Sequence, residues 1–348
     1  MRIVATIAAQ RARGLTCSGS AAIVATVSGA HERPPTPVGT QLAGSPSNWG
    51  RWGADDELGA LNLLDAAEVL RGVRAVRSGR TFTLGIPVAD PGGDPIWPGR
   101  PPSRRFAVQD KATYGAGHAH APGGDEFADD MLLLSSHGTT HTDALGHVWY
   151  EDTLYNGYAA DTTIGRLTRA SVLPLAEHGV VGRAVLVDLA RHRRKPRLDR
   201  GEPFGLDDVL DAARHQQVEI ERRDILLLRT GWLAAYYTER DAFERHPFAE
   251  PGLLYSPELV RWFQEREIPA LGSDTLANEL TIQPRDGENS VLHAALMRNL
   301  GVVFTEMLWL EELAADCAAD RQYTFLYAAA PLKVVGASGA ATNPLAIK

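Results

Sequence analysis

SPELVRWFQERE (256–267), IPALGSD (268–274), VLHAALMRNLG (291–301) and VVFTEML (302–308) follow one another in the C-terminal half of the chain. In the first and third, apolar residues recur three and four apart, the spacing of a helix with one buried face. The second and fourth are short apolar runs of strand length. The same alternation holds upstream, where AVLVDLA (184–190) and DILLLRTGW (224–232) flank the helical LDDVLDAARHQQ (206–217). Strands alternating with helices predict an α/β domain with substantial parallel pairing, and nearly continuous apolar strands predict a sheet covered on both faces.

Farther upstream the pattern loosens. NWGRWGADDELGALNLL (48–64) is a turn-rich lead-in, and residues 65–78 read as an amphipathic helix with Asp65 as N-cap and Gly79 as the stop. TFTLGIPVA (81–89) is β-rich and runs into a long Pro/Gly loop that carries Trp97. DDMLLLSS (129–136) reads as an apolar strand. No repeat is visible, so residues 46–348 are expected to form a single catalytic domain. Residues 1–45, with four arginines against one acid and a Pro-rich end, are expected to be a disordered or loosely ordered tail.

The composition narrows the function. The chain has 348 residues, of which 44% are hydrophobic and 22% charged, values of an ordinary globular protein. A net charge of -8 offers no positive field for a phosphate backbone, so nucleic acid is not an expected partner. No apolar run reaches the ~18–20 residues of a membrane span. Arg11 and Arg13 interrupt the early apolar stretch, which argues against a secretion signal. Two cysteines, Cys17 and Cys317, make no disulfide framework, so a reducing, cytoplasmic setting is expected.

Chemistry concentrates in HGTTHTDALGH (137–147), which holds three of the eleven histidines and a carboxylate. On a helix Asp143 would sit about 120° away from the face shared by His137 and His141. In an extended segment His137, His141, Asp143 and His147 all point one way, and the intervening glycine and threonines favour that state. Imidazoles with a carboxylate suit Zn²⁺ or Mn²⁺, and three protein ligands, His137, His141 and Asp143, leave a position for water that ionises at about pH 7. His147 is then placed to carry a proton. Trp97, Trp149, Tyr150 and Tyr155 are candidates either for a wall against a flat ring or for plain packing. Asp274 is a candidate to bind substrate, to support a ligand histidine, or to cap the segment after it.

The spacing H-x3-H-x-D-x3-H is similar to the signature of the cyclase-type metal-dependent hydrolase family, which includes bacterial kynurenine formamidase and isatin hydrolase. This chain places its glycine one residue earlier than the common H-x-G-T-H. The resemblance extends through NWGRWGADDELGALNLL, GRTFTLGIPV, DALGHVWYEDTLYNG, DILLLRTGW, ALGSDT and APLKVVGASGA, over roughly residues 48–348, and is nearest to the longer bacterial members. It implies a swivelling β/β/α fold and a homodimer or homotetramer. It also implies that His293 and Glu306 complete a two-metal site bridged by Asp143, although isatin hydrolase-like members use one Mn²⁺. The expected activity is hydrolysis of an amide, lactam or lactone in a small cyclic or aromatic substrate. A lyase or cyclase acting through an enolate, and a non-catalytic metal-binding protein, are the rival readings.

Overall fold

Nine strands form one mixed sheet in the computed structural model, which describes residues 37–348 apart from 92–93, 98, 118–119, 240–248, 284–286 and 289–290. Most of the tail expected over residues 1–45 therefore lies outside the described residues. In chain order the strands discussed below are β1 (Thr81–Thr83), β2 (Arg104–Gln109), β3 (Asp129–Leu133), β4 (His141–Asp143), β5 (Val180–Asp188), β6 (Ile225–Arg229), β7 (Ala270–Ser273), β8 (Val303–Glu306), β9 (Thr324–Ala329), β10 (Gly339–Ala341) and β11 (Leu345–Ile347). The sheet runs β1-β11-β9-β5-β6-β7-β8-β4-β10. Its centre, β5 to β8, is parallel, and both flanks are antiparallel.

The centre is parallel for the reason visible in the sequence. All five residues of β6 and all four of β7 and of β8 are buried, so these strands need cover on both faces. Cover comes from helices in the connections: α1 (Ala66–Arg74), α2 (Leu206–Gln216), α3 (Trp232–Thr238), α4 (Pro257–Glu265) and α5 (Glu311–Asp320). Asp65 caps α1 as expected, accepting from the amides of Ala67 and Glu68. Gly72 lets α1 lie directly on the sheet, because a Cβ there would come within 2.7 Å of the Gly182 backbone.

Two segments differ from expectation. His293–Asn299, read as an ordinary helix, is a π-helix, a form that recurs at functional sites. The apolar run at 129–133 does not join the main sheet. It pairs with β2 in a separate two-stranded hairpin, and every residue of β3 is exposed.

Candidate metal centre

β4 is only three residues long, yet it is pinned between β8 and β10. His141 lies directly opposite Glu306 on one side and Ala341 on the other, and Asp143 lies opposite Gly339. Residues opposite one another share a face, as do residues two apart, so His141, Asp143 and Glu306 all project from the same side of the sheet. Gly339 leaves the space beside Asp143 open. His137 fills it, at a place where a Cβ on residue 339 would come within 2.5 Å of the imidazole.

The other histidines arrive by turns rather than by strand alternation. Only His141–Asp143 is extended; Gly138 and His147 close tight turns through backbone bonds to Ser135 and Ala144. The expected four-residue convergence along one extended segment is therefore replaced by a turn, a short strand and a second turn. Proline is absent from this stretch, and its glycines at 138 and 146 allow the bends.

The result is a buried cluster. His137 donates from Nδ1 to Asp143 Oδ1 at 2.7 Å, and its Nε2 accepts from the Ser338 hydroxyl at 2.9 Å. His141 donates from Nδ1 to the Thr139 carbonyl at 2.7 Å, which turns Nε2 inward, 3.2 Å from Asp143 and 3.4 Å from Glu306. His293 Nε2 lies 3.4 Å from Glu306 and 3.9 Å from Asp143. The His147 ring stacks on His137 with centroids 4.1 Å apart. Glu279, which the sequence reading missed, accepts from the amides of Leu292 and His293 and from the His293 ring. The signal for it was weak, a lone acid in an apolar stretch.

Donor atoms group as two triads that share Asp143: His137, Asp143 and His147, and His141, Asp143 and Glu306, with each triad's atoms within 4.8 Å of one another. His137 and His141 fall in different triads by this spacing, while both reach the same oxygen of Asp143, at 2.7 and 3.2 Å. His147, expected outside the ligand set, stacks on His137 at the edge of the first triad. His141 Nε2 and Asp143 Oδ2 are buried without a hydrogen-bond partner among the described residues, an arrangement that costs free energy unless a cation satisfies both.

The electrostatics agree. Burial by itself would lower the His141 imidazolium, but Asp143 and Glu306 overcome it and hold the ring up to about 10. Burial also opposes charge on His293, yet Glu279 and Glu306 raise it well above the ordinary histidine value. Asp143 is held well below the carboxylate range, against burial, by His147, His141 and the hydrogen bond from His137. Two protons thus balance the buried carboxylates, and a divalent ion would displace them. His147 goes the other way: burial drives it down to about 3 despite Asp143, with His137 and His293 adding to the effect, so its ring is neutral.

The family model described as "Putative cyclase" matches residues 82–279. This chain belongs to the cyclase family. Among solved structures, a crystal structure of a novel cyclase shares 33% identity with it at a TM-score of 0.79, covering 87% of this chain and 100% of that one. Isatin hydrolase A from Ralstonia solanacearum has the same fold at 20% identity and TM-score 0.53, over 82% of this chain and 96% of its own. An isatin hydrolase bound to the product analogue thioisatinate matches at 19% identity and TM-score 0.54, over 82% and 97%. No curated protein matches the sequence.

Within this cyclase fold the other candidate residues separate. Trp97 packs against a second apolar cluster that includes Trp232, Leu276 and Met307, with Tyr236, Tyr237 and Trp309 at its edge. That cluster adjoins the centre, since Met307 follows Glu306 and its carbonyl accepts from Thr140. Trp149 is instead largely exposed. Tyr150 lies 3.9 Å beneath the Arg298 guanidinium and donates to Asn299, so it clamps the end of the π-helix rather than offering a free ring to a ligand. Tyr155 is fully buried and donates to Asp56. Asp274 accepts with both oxygens from the Thr230–Gly231 turn ahead of α3. No described helix is long and apolar enough to cross a membrane.

Proposed function

We propose that this chain is a metal-dependent hydrolase that opens the C–N bond of an amide or lactam, or the ester bond of a lactone, in a small cyclic or aromatic substrate. The observation that carries the reading is the gathering of His137, His141, His293 and Glu306 around Asp143, with the orphaned His141 Nε2 and Asp143 Oδ2 among them. His137, His141 and Asp143 would hold one cation, and Asp143, His293 and Glu306 a second, which leaves His147 free beside the first. Zn²⁺ or Mn²⁺ bound there would polarise a carbonyl and acidify water. The isatin hydrolases that share the fold support lactam opening as the reaction class.

The chain's own residues supply the remainder. His147 is half-buried and stacks on His137 beside the centre, so its ring would stand where it can take a proton during attack and return it to the departing nitrogen or oxygen. Trp97, Trp232, Tyr236 and Trp309 form an apolar flank beside the centre that suits a flat ring. Thr140 ties this flank to the centre, accepting from the Ile86 amide while donating to Met307.

The test is a panel of aryl formamides, isatin-like lactams and lactones, assayed before and after chelation and again after reloading with Zn²⁺ or Mn²⁺. Hydrolysis that vanishes on chelation and returns on reloading is expected, with solvent oxygen-18 in the product. Turnover unchanged after complete metal removal would sink the reading. His147→Ala then separates the two roles of that residue: full metal with a rate lowered roughly 10²–10⁴-fold marks a proton carrier, whereas lost metal marks a ligand.

A further inference from the structure

The loop after β1 brings a buried acid to the edge of the aromatic flank. Asp94 is only 6% exposed, and its backbone carbonyl accepts from the Tyr236 hydroxyl at 3.0 Å. Trp97, three residues on, packs against the same apolar cluster as Tyr236. Between the two, Ile96 touches the border of the metal centre: its Cγ2 lies 3.5 Å from where a Cβ on Gly138 would stand, next to His137. This stretch of loop therefore joins the flank to the centre, and Asp94 is two residues from Ile96, at most about 7 Å of chain.

Half of the Asp94 carboxylate has nothing to bind. Oδ2 accepts from the Ser103 amide at 3.1 Å, but Oδ1 is buried with no hydrogen-bond partner, and so is the Ser103 hydroxyl. Among the described residues no lysine, arginine or histidine pairs with Asp94. Arg100, six residues on, is engaged elsewhere and donates from Nη1 to the His137 carbonyl at 2.9 Å. A carboxylate taken out of water without a counter-charge is costly. Other buried acids of this chain meet that cost with a cation, Asp188 with Arg229 and Asp224 with Arg183.

We infer that Asp94 receives an ammonium group of the substrate, so that the ring lying along the flank carries an aminoalkyl substituent and no carboxylate. The inference rests on the proposed hydrolase reading, which sets the substrate carbonyl at the centre and the ring on the flank. Asp94 Oδ1 and Ser103 Oγ offer the ammonium two acceptors, and an aromatic surround favours a cation over a neutral group. A hydrogen bond between two charged groups shielded from water separates the amine from an uncharged isostere by roughly 10–100-fold. A substrate carboxylate in the same place would meet like charge with no cation to relieve it, and is rejected.

Calorimetric titration of the Zn²⁺-loaded protein with benzylamine and with benzyl alcohol, its uncharged isostere, is the direct test. Benzylamine is expected to bind roughly 10-fold more tightly or better, and Asp94→Asn to remove the advantage while circular dichroism stays unchanged. Among formanilides carrying an aminomethyl, hydroxymethyl or carboxymethyl group on the ring, the first is expected to lead in kcat/KM by roughly 10–100-fold in the wild type and to lose that lead in the variant. Equal wild-type affinity for benzylamine and benzyl alcohol would overturn the inference, and this comparison decides even where the variant fails to fold. An amine advantage that survives Asp94→Asn would overturn it equally, because the ammonium would then sit elsewhere. Asp94-dependent binding of benzylamine with no hydrolysis of any formanilide would support the amine site and sink the hydrolase reading instead.

Discussion

Glu279 joins three groups at once: it accepts from the amides of Leu292 and His293, and from the ring nitrogen of His293 that faces away from the centre. A carboxylate behind a ligand histidine fixes its tautomer and raises its basicity. Glu279→Gln keeps the shape and removes the charge. It is expected to weaken divalent cation binding about 10–100-fold in competition with a chromophoric chelator, and wild-type affinity would remove Glu279 from this role. Glu250 shows the cost of an acid in the same neighbourhood. It is fully buried, accepts from Thr281 at 2.8 Å, and burial pushes its carboxyl up to about 7, with Glu306 and Glu279 adding to the rise. The folded chain thus keeps a proton that the unfolded chain releases near 4.5. The stability it contributes is full below that pH and lost as pH rises through about 7, on the order of 3 kcal/mol. In chelator-treated protein, Glu250→Gln should therefore gain stability over wild type at pH 8 but not at pH 5. An equal difference in the denaturant midpoint at both pH values would contradict this.

Among the elements, α1 and the π-helix show how far local pattern reaches. The cap and apolar face of α1 were legible because capping and periodicity act within a few residues. The need for Gly72 was not, since it arises from a sheet residue more than a hundred positions away. Helix propensity alone makes Gly72→Ala favourable by about 1 kcal/mol. The contact with the Gly182 and Arg183 backbones reverses the sign, and a net loss of about 1–3 kcal/mol is expected in urea unfolding. A midpoint that rises would show that the helix moves away without penalty. Over seven residues a π-helix and an α-helix have nearly the same apolar pattern, so His293–Asn299 read as an ordinary helix. Its far end is clamped where Asn48 and Trp49 bond to the backbone of residues 298–300. β3 misled for a similar reason: an apolar run looks the same whether it joins the main sheet or a separate hairpin.

For the whole molecule, sheet order matters most. Placing β4 between β8 and β10 brings residues 137–147 against Glu306 and Ser338, partners more than 150 positions away in the chain. A cation held there would link these segments and stabilise the folded state by mass action. Loading chelated protein with Zn²⁺ at about 100-fold above its dissociation constant should therefore add about 2.7 kcal/mol. Calorimetry should show this as a higher unfolding temperature, and no shift on loading would argue that the cluster holds no ion.

The sequence by itself determined the α/β class, the parallel centre and the identity of the groups gathered near Asp143. Apolar periodicity is a local consequence of burial, and a cluster of histidines with a carboxylate needs no tertiary information to be noticed. Only the tertiary structure decided how those groups meet their distant partners. Turns at Gly138 and His147, the opposition of His141 and Glu306 across two strands, and the open space at Gly339 bring the segment's donors together with Glu306 and His293 around Asp143. It also decided that Tyr150 meets Arg298 and Asn299, that Asp274 meets the turn at Thr230, and that Glu279 holds the ring of His293. Such assignments depend on which side chains meet across strands distant in the chain, and short-range patterning carries no record of those meetings.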